Sequence, residues 1–340
     1  HVIMAYKKPW MSYEEQLELL IARGMRVTDR EKALEYLQRI GYYRLSGYWY
    51  ACRQRGGKFC VLDKDGRRVN EKKSGKPLED TVALDEFKEG TTFKNVVDLY
   101  VFDKQLRLLA MDALERIEIA LRADISHTLG KINRFAYEKP ELFHEKFSVI
   151  RDKKTGVTKH QQWLEKQKRL ITRSTEKFVS HHRDRYGYPL AIWVACELWD
   201  FGTMSTLFGG LREQEQDPIA RKYGIDNGRI FATWLRSLNY LRNVCAHHAR
   251  LWNRNVVDQP KLPPVREVAW VKEVGQDPHA KARCFLLLLI VRHVLQVINP
   301  RSTWSERMKS HLKGFGRLEL DHLGLNLRGT GAPDGWENIW

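Results

Sequence analysis

One stretch of the sequence, residues 234–252, places an imidazole, a guanidinium group and a side-chain amide at helical spacing. Arg242 is followed directly by Asn243, and His247 comes four residues after Asn243. Because residues four apart are neighbours on the surface of a helix, Asn243 and His247 should lie side by side. Histidine gains and loses a proton near neutral pH, and arginine holds phosphate oxygens with paired donors. Together these residue types predict chemistry at a phosphate that needs no metal ion.

The same stretch is predicted to form one amphipathic helix with an apolar face and a polar, basic face. At about 100° per residue, its polar residues gather within an arc of roughly 90°. The apolar residues are Phe231, Leu235, Leu238, Leu241, Cys245 and Trp252. The polar residues are Arg236, Asn239, Asn243, His247 and Arg250, with Arg242 at the edge of their arc. The polar face would therefore surround one small volume with an imidazole, a guanidinium group and two amides.

The candidate site divides into catalytic residues and RNA contacts. The candidate catalytic residues are Arg242, which would stabilise charge on a phosphate, His247, which would move a proton, and Asn243, which would orient the imidazole or a phosphate oxygen. The candidate RNA contacts are His248, Arg250, Arg254, Arg236, Asn239, Arg122 and Arg44. An alternative stays open, because Arg-x4-His occurs often by chance: Arg242 and His247 could be ordinary polar residues of a half-buried helix.

The cysteines and histidines predict neither a disulfide framework nor a metal site. Five cysteines are scattered without a Cys-x-x-Cys pair, which is typical of free, buried thiols in a reducing compartment. The run Cys245-Ala-His-His could be imagined as a metal cluster, but no other residues complete a tetrahedral set. We therefore predict no metal ligand and no cofactor.

The composition indicates a globular protein with a polyanionic partner. Hydrophobic residues make up 43% of the 340 residues, which is enough for a large core. The formal net charge is +16, and clustered cations gain affinity by releasing counterions from phosphates. Eleven tryptophans and thirteen tyrosines supply faces on which RNA bases could stack, although many must belong to the core. The apolar run at residues 284–291 is too short to span a bilayer, so no membrane partner is predicted.

The elements that must position the motif are helices, and the sequence predicts an all-α protein. Its parts are an N-terminal helical element (1–50), a polar insertion that could form a small hairpin (51–91), a helical bundle (92–300) and a C-terminal segment that packs on the bundle (301–340). The hairpin is expected at residues 59–69, because Asp65-Gly66 favours a tight turn. The bundle contains a helix over about 92–130, helices within 190–255 and a buried helix over about 279–298.

Capping residues predict where several helices begin and end. Ser12 with Glu15 and Thr28 with Glu31 are capping pairs at two helix starts, and Gly130 should end the long helix of the bundle. The aromatic segment after the second helix could be a core wedge or an RNA-stacking surface. We favour the core, because aromatic residues dominate cores as well as interfaces.

The motif resembles the signature of HEPN-domain ribonucleases, in which an Arg, a polar residue directly after it and a His four residues further on lie on one helix. Arg242, Asn243 and His247 match this signature position by position. The resemblance implies a HEPN-like bundle and a metal-independent reaction, in which the RNA 2′-OH attacks the adjacent phosphorus and leaves a 2′,3′-cyclic phosphate and a 5′-OH. It also implies a homodimer, in which two copies of the chain build one composite site.

A second Arg-x4-His pair, Arg122 and His127, lies on the predicted long helix. Ala123 follows Arg122, which departs from the polar residue of the HEPN signature. Glu118 stands four residues before Arg122, so these two can form a salt bridge on the helix surface. We interpret Arg122 and His127 as structural or supportive, and a role as a second catalytic pair stays open.

Other segments resemble the Abi-like proteins, a bacterial abortive-infection group that includes the AbiD and AbiF types. They are Lys8-Pro9, Tyr42-Tyr43-Arg44-Leu45-Ser46-Gly47-Tyr48, Glu115-Arg116-Ile117-Glu118, Tyr186-Gly187-Tyr188-Pro189-Leu190 and Arg250-Leu251-Trp252-Asn253-Arg254. The resemblance implies phage defence in the bacterial cytoplasm through toxic RNA cleavage, and binding of a structured noncoding RNA. Two alternatives stay open: a non-catalytic RNA-binding or regulatory protein that uses the same basic face, and a protein-interaction module whose charge is incidental.

Overall fold

The computed structural model describes residues 6–63, 65–70 and 74–340, and most of them lie in α-helices. The chain forms two compact units, His1–Lys104 with Gly314–Asn326, and Gln105–Lys313 with Leu327–Trp340. One two-stranded antiparallel sheet is present within the described ranges. The predicted mostly α-helical fold with a small hairpin is therefore confirmed. In the same ranges, no helix has both the length and the apolar character needed to cross a bilayer.

The first unit begins with three short helices and continues into the hairpin. Its elements are α1 (Tyr13–Ala22), α2 (Arg30–Ile40), α3 (Tyr42–Trp49), β1 (Arg53–Cys60) and β2 (Glu79–Phe87). Ser12 and Glu15 form the predicted capping box of α1. The predicted cap at Thr28 is wrong by one residue, because the Asp29 carboxylate accepts the backbone N–H three residues further on at 3.0 Å. Gly41, with a φ of +95° that few other residues adopt, separates α2 from α3.

The hairpin is larger than the sequence predicts. β1 and β2 pair antiparallel, so the segment expected to be a loop contains a strand of 9 residues. The predicted turn lies in the connection between the two strands, where the Asp63 backbone N–H donates to the Arg67 carbonyl at 2.9 Å; residue 64 lies outside the described residues. The predicted pairing of residues 59–62 with 67–69 is wrong for Phe59 and Cys60, which pair with β2. Most side chains of β2 are exposed, so the strand lacks the apolar alternation by which a strand is recognised in a sequence.

One long helix, α4 (Phe93–Ile132), begins in the first unit and continues in the second. Its start agrees with the sequence, but its predicted end at Gly130 is wrong. A Cβ at Gly130 would lie 3.3 Å from both the Ile192 side chain and the Trp193 ring. The glycine therefore allows close packing in the middle of a helical turn instead of ending the helix.

The second unit contains further α-helices, one of which is central. They are α5 (Glu145–Ser148), α6 (Lys159–Arg173), α7 (Lys177–Tyr186), α8 (Ile192–Ala195), α9 (Phe201–Gly210), α10 (Glu213–Lys222), α11 (Gly228–Ala246), α12 (Val271–Val274), α13 (Pro278–Lys281), α14 (Cys284–Ile298) and α15 (Trp304–Lys313). The central helix, α11, packs against α9, α10 and α14. Its Leu235, Leu238 and Leu241 are fully buried, and burial of one such side chain stabilises the fold by about 1.5–3 kcal/mol. Packing therefore fixes α11 and leaves its polar face free for a ligand.

The predicted last helix of the bundle, at 279–298, is two helices instead of one. α13 and α14 are separated at Arg283, whose backbone is extended with a φ of −128° and a ψ of 167°. The Arg283 guanidinium donates to the Asn253 side-chain oxygen at 2.5 Å, which ties the break to the segment after α11. α14 is buried on most of its surface, as its apolar sequence predicts.

Candidate functional site

The motif lies on the last turns of α11, which ends at Ala246, earlier than predicted. The backbone N–H groups of His248 and Ala249 donate back to carbonyls of the last turn at 3.1 and 3.0 Å, which is the bonding pattern of a Schellman motif. His248 adopts a φ of +56° at the position where glycine is usual. The predicted place of Arg250 and Trp252 on this helix is therefore wrong, because the Schellman motif ends the helix and turns the chain before these residues.

The residues after α11 fold back onto the second unit. Trp252 is buried, and a Cβ at Gly329 would lie 2.5 Å from its indole nitrogen, so these two segments touch closely. Arg254 donates through Nε to the Tyr240 hydroxyl at 3.1 Å, which holds Arg254 against α11. Arg250 is partly buried in the same tail. Arg254 thus stays beside α11, whereas Arg250 does not lie on the polar face of α11 where the sequence places it.

A groove of about 970 Å³ follows the polar face of α11. Four candidate residues of α11 line it together: Arg236, Asn239, Arg242 and Asn243. The other cationic lining residues are Lys146, Lys159, Lys166 and Arg229, and the acidic ones are Glu145 and Asp200. With the two arginines of α11, this makes six cationic side chains against two acidic ones. The groove should therefore attract a polyanion.

A carboxylate on α4, that of Glu118, contacts the arginines of both Arg-x4-His pairs. Arg122 Nη2 lies 2.5 Å from Glu118 Oε1, which confirms the predicted salt bridge, and Arg242 Nε lies 3.9 Å from Glu118 Oε2. The Glu118 side chain is 12% exposed and that of Arg242 is 33% exposed. Because salt screens a partly buried pair less than a surface pair, Glu118 can hold the Arg242 guanidinium at the edge of the groove. Glu118 is one of the site residues that the sequence does not predict, as are the cationic and acidic groove residues outside α11.

Asp200, the N-cap of α9, is a second carboxylate beside Arg242. Burial alone would raise the pKa of Asp200, but hydrogen bonds from Thr203 and the charges of nearby cations, Arg242 among them, outweigh burial and hold this pKa below its ordinary value. Asp200 is therefore ionised at neutral pH. A Cβ at Gly202 would lie 3.4 Å from the Asn239 amide oxygen, so the glycine lets Asn239 approach the start of α9.

His247 lies at the exposed end of α11, outside the residues that line the groove. Its backbone N–H donates to the Asn243 carbonyl at 3.0 Å, so the imidazole stands one turn beyond the Asn243 amide. On a regular helix, residues four apart point about 40° from each other and residues five apart about 140°, so His247 shares a face with Asn243 and not with Arg242. In the described chain, no hydrogen-bond partner occupies the His247 imidazole or the Asn243 amide.

The remaining candidate residues are not among those that line the groove. Arg44 is exposed on α3 in the first unit, while Tyr48 and Trp49 of the same aromatic segment are buried, as a core segment requires. Arg122 contacts the site through its carboxylate partner, but His127 is exposed and lines a separate cleft. Among the described residues, no group of three or more His, Cys, Asp or Glu is arranged to hold a metal ion.

The fold and the site define a mostly α-helical protein with a cationic groove along its central helix. The family model of the Abi-like proteins matches residues 35–253, which contain α3 to α11 and the motif. The chain therefore belongs to the Abi-like family, a group of abortive-infection proteins in phage defence, and the predicted resemblance to the Abi-like proteins is confirmed. None of the curated proteins and none of the solved structures is significantly similar to it.

Proposed function

We propose that this chain is a metal-independent endoribonuclease that acts in phage defence. The observation that carries the proposal is the end of α11, where Arg242 and Asn243 line a cationic groove and His247 stands exposed one turn further on. This arrangement supports the HEPN-like interpretation of the motif. RNA suits the site because each of its phosphates lies next to a 2′-OH, the group that distinguishes RNA from DNA.

The proposed reaction is an internal transfer at one phosphate of the RNA strand. The 2′-oxygen bonds to phosphorus as its proton leaves, and the bond from phosphorus to the 5′-oxygen of the next nucleotide breaks as that oxygen gains a proton. The products are a 2′,3′-cyclic phosphate and a 5′-OH. His247 exchanges a proton in this step, Arg242 stabilises charge on the phosphate oxygens, and Asn243 orients the imidazole or a phosphate oxygen.

The two proton transfers of this step support a composite site made from two copies of the chain. The attacking 2′-oxygen and the leaving 5′-oxygen lie on opposite sides of phosphorus, so one imidazole cannot reach both, whereas a symmetric dimer can bring two imidazoles to one phosphate. One His247 then acts as the base and the other as the acid. The position of His247 at an exposed helix end supports this arrangement, because the end is accessible to a second copy.

Mixing intact chains with His247→Ala chains tests the composite site. At equal amounts and after subunit exchange, about a quarter of the dimers contain two intact copies, so the cleavage rate should fall to about a quarter of that of the same total of intact protein. Chains that cleave independently would retain about half. The initial rate is measured at fixed total protein, and light scattering checks the mass of the complex. A fully active monomer would contradict the dimer.

A non-catalytic RNA-binding protein is the second candidate, because the same groove supports it. Both candidates predict that affinity falls as salt rises, with a slope of about 0.7 in log K against log salt for each phosphate contacted on a single strand. Cleavage separates them: the purified chain should produce new fragments from total bacterial RNA at low salt. Salt-sensitive binding without fragments from any RNA would favour the second candidate.

The proposed noncoding RNA partner rests on the resemblance to the Abi-like proteins, and charge and thiols are compatible with the proposed partner and compartment. A net charge of +16 supports binding of a structured noncoding RNA in addition to the strand that is cleaved. The five cysteines are free, which supports a reducing compartment such as the bacterial cytoplasm.

A further inference from the structure

A second cleft, of about 570 Å³, lies between α4 and the segment that begins at α8. The Trp193 indole forms one wall and packs against α4 at Gly130, where a Cβ would lie 3.3 Å from the ring. Trp193 is nevertheless 55% exposed, and only Trp10, in the first unit, is a more exposed tryptophan among the described residues. Trp193 thus provides an aromatic plane that is supported by a helix and open to a ligand.

The rest of the cleft combines a neutral floor with a polar rim. Ser126 and Cys196 line it and are buried, and burial raises the pKa of the Cys196 thiol, so this floor carries no charge at neutral pH. His127 and Lys131 stand exposed on α4 at the rim, opposite the exposed Glu197 of the segment that begins at α8. Proteins hold unpaired nucleobases in this way, with an open aromatic face beside cationic and hydrogen-bonding groups.

Arg122 joins this cleft to the candidate active site. Its Nη2 contacts Glu118, which also holds Arg242, and its Nη1 donates to the Glu197 carbonyl of the cleft at 3.4 Å. The buried Arg122 Nε has no hydrogen-bond partner in the described chain. Residues 193–202 border the cleft at one end and the groove at the other. A nucleic-acid strand that crosses this segment would contact both.

We propose that the cleft holds one unpaired nucleobase of the RNA strand whose phosphate is bound at Arg242. The base stacks on Trp193, while His127 and Lys131 contact its edge or the adjacent phosphate. The identity of the strand rests on the proposed ribonuclease function, but the binding itself requires no cleavage. A base in a duplex is covered by its neighbours and cannot stack here, so the strand at this position is single-stranded. The Arg122–His127 pair then positions RNA and is not a second catalytic centre.

This proposal is tested by comparing how the intact chain and a Trp193 variant bind strands with and without bases. The full chain and its Trp193→Ala variant are titrated with a fluorescent 2′-O-methyl oligoadenylate, which has no free 2′-OH to attack, and with an abasic 2′-O-methyl strand of equal length. We expect the variant to bind the oligoadenylate about 5- to 150-fold more weakly, the range for loss of one stacked base. The affinity for the abasic strand should stay unchanged, because that strand has nothing to stack.

Further variants separate stacking from folding. Trp193→Phe keeps an aromatic ring and should retain base-dependent binding. Trp193→Leu keeps an apolar side chain but has no flat ring, so it should lose base-dependent binding. This variant serves as the test if Trp193→Ala lowers the melting temperature. Trp10→Ala removes the other exposed tryptophan and should bind both strands as the intact chain does. Equal weakening for the two strands, or none for the oligoadenylate, would overturn the proposal. An intact chain that binds the strand through Trp193 but cleaves no RNA would overturn the ribonuclease function and leave the nucleobase cleft standing.

Discussion

Replacing His247 with alanine should lower the rate of RNA cleavage by about 10²- to 10⁴-fold, the usual contribution of a general acid or base, while RNA affinity changes little. The imidazole lies at an exposed helix end and lines no part of the groove. Its loss therefore removes no core contact and no groove cation. The measurement is kcat on a labelled RNA, together with Kd for a 2′-O-methyl strand of the same sequence.

His181→Ala is the matched control for this prediction. His181 is also an exposed histidine of the second unit, but it lies on α7 and outside the groove. We expect this variant to cleave RNA at the rate of the intact chain. If His247→Ala cleaved as fast as the control, His247 would have no part in the reaction and the HEPN-like assignment would fail.

Replacing Arg242 with alanine should lower kcat by about 10²- to 10³-fold, as loss of one preorganised donor to developing charge does in other enzymes. Lysine keeps the charge but lacks the planar pair of donors, so Arg242→Lys should recover only part of the rate. Glu118 keeps its ion pair with Arg122 in both variants. Its partly buried carboxylate is therefore not left unpaired, and the melting temperature should change little.

Arg173→Ala is the control for charge alone. Arg173 is exposed at the end of α6 and does not line the groove, so its removal subtracts one positive charge without touching the site. We expect cleavage close to that of the intact chain. Full activity in Arg242→Lys would show that only the charge of Arg242 matters and not its paired donors. A large loss of stability in Arg242→Ala would show that Arg242 has a structural role instead.

The sequence predicts the helices well where burial and capping agree. The apolar period of α11 identifies its buried face, and the capping box at Ser12 marks the start of α1. The predictions that are wrong have local causes. Glycine can end a helix or allow close packing within it, so the sequence alone predicts the wrong role for Gly130. His248 adopts a left-handed conformation that few non-glycine residues take. β2 has no apolar alternation to mark it.

The site is predictable only in part, because spacing along one helix says nothing about its neighbours. The sequence groups Arg236, Asn239 and Asn243 on one face, and the structure brings them together in one groove. The contact of Glu118 with Arg242 joins two helices that are distant in the sequence, and no periodicity could reveal it. The only signal was the Glu118–Arg122 spacing, which indicates a salt bridge but not a third partner.

The chemistry of the RNA ends tests the central claim most directly. After cleavage by the intact chain in the presence of a metal chelator, the upstream fragment should carry a 2′,3′-cyclic phosphate and the downstream fragment a 5′-OH, as read by mass spectrometry of a defined RNA. A single 2′-deoxy nucleotide before the cleaved phosphate should block cleavage there, because it removes the attacking hydroxyl. A 3′-OH with a 5′-phosphate, or cleavage that persists at the 2′-deoxy position, would contradict the account.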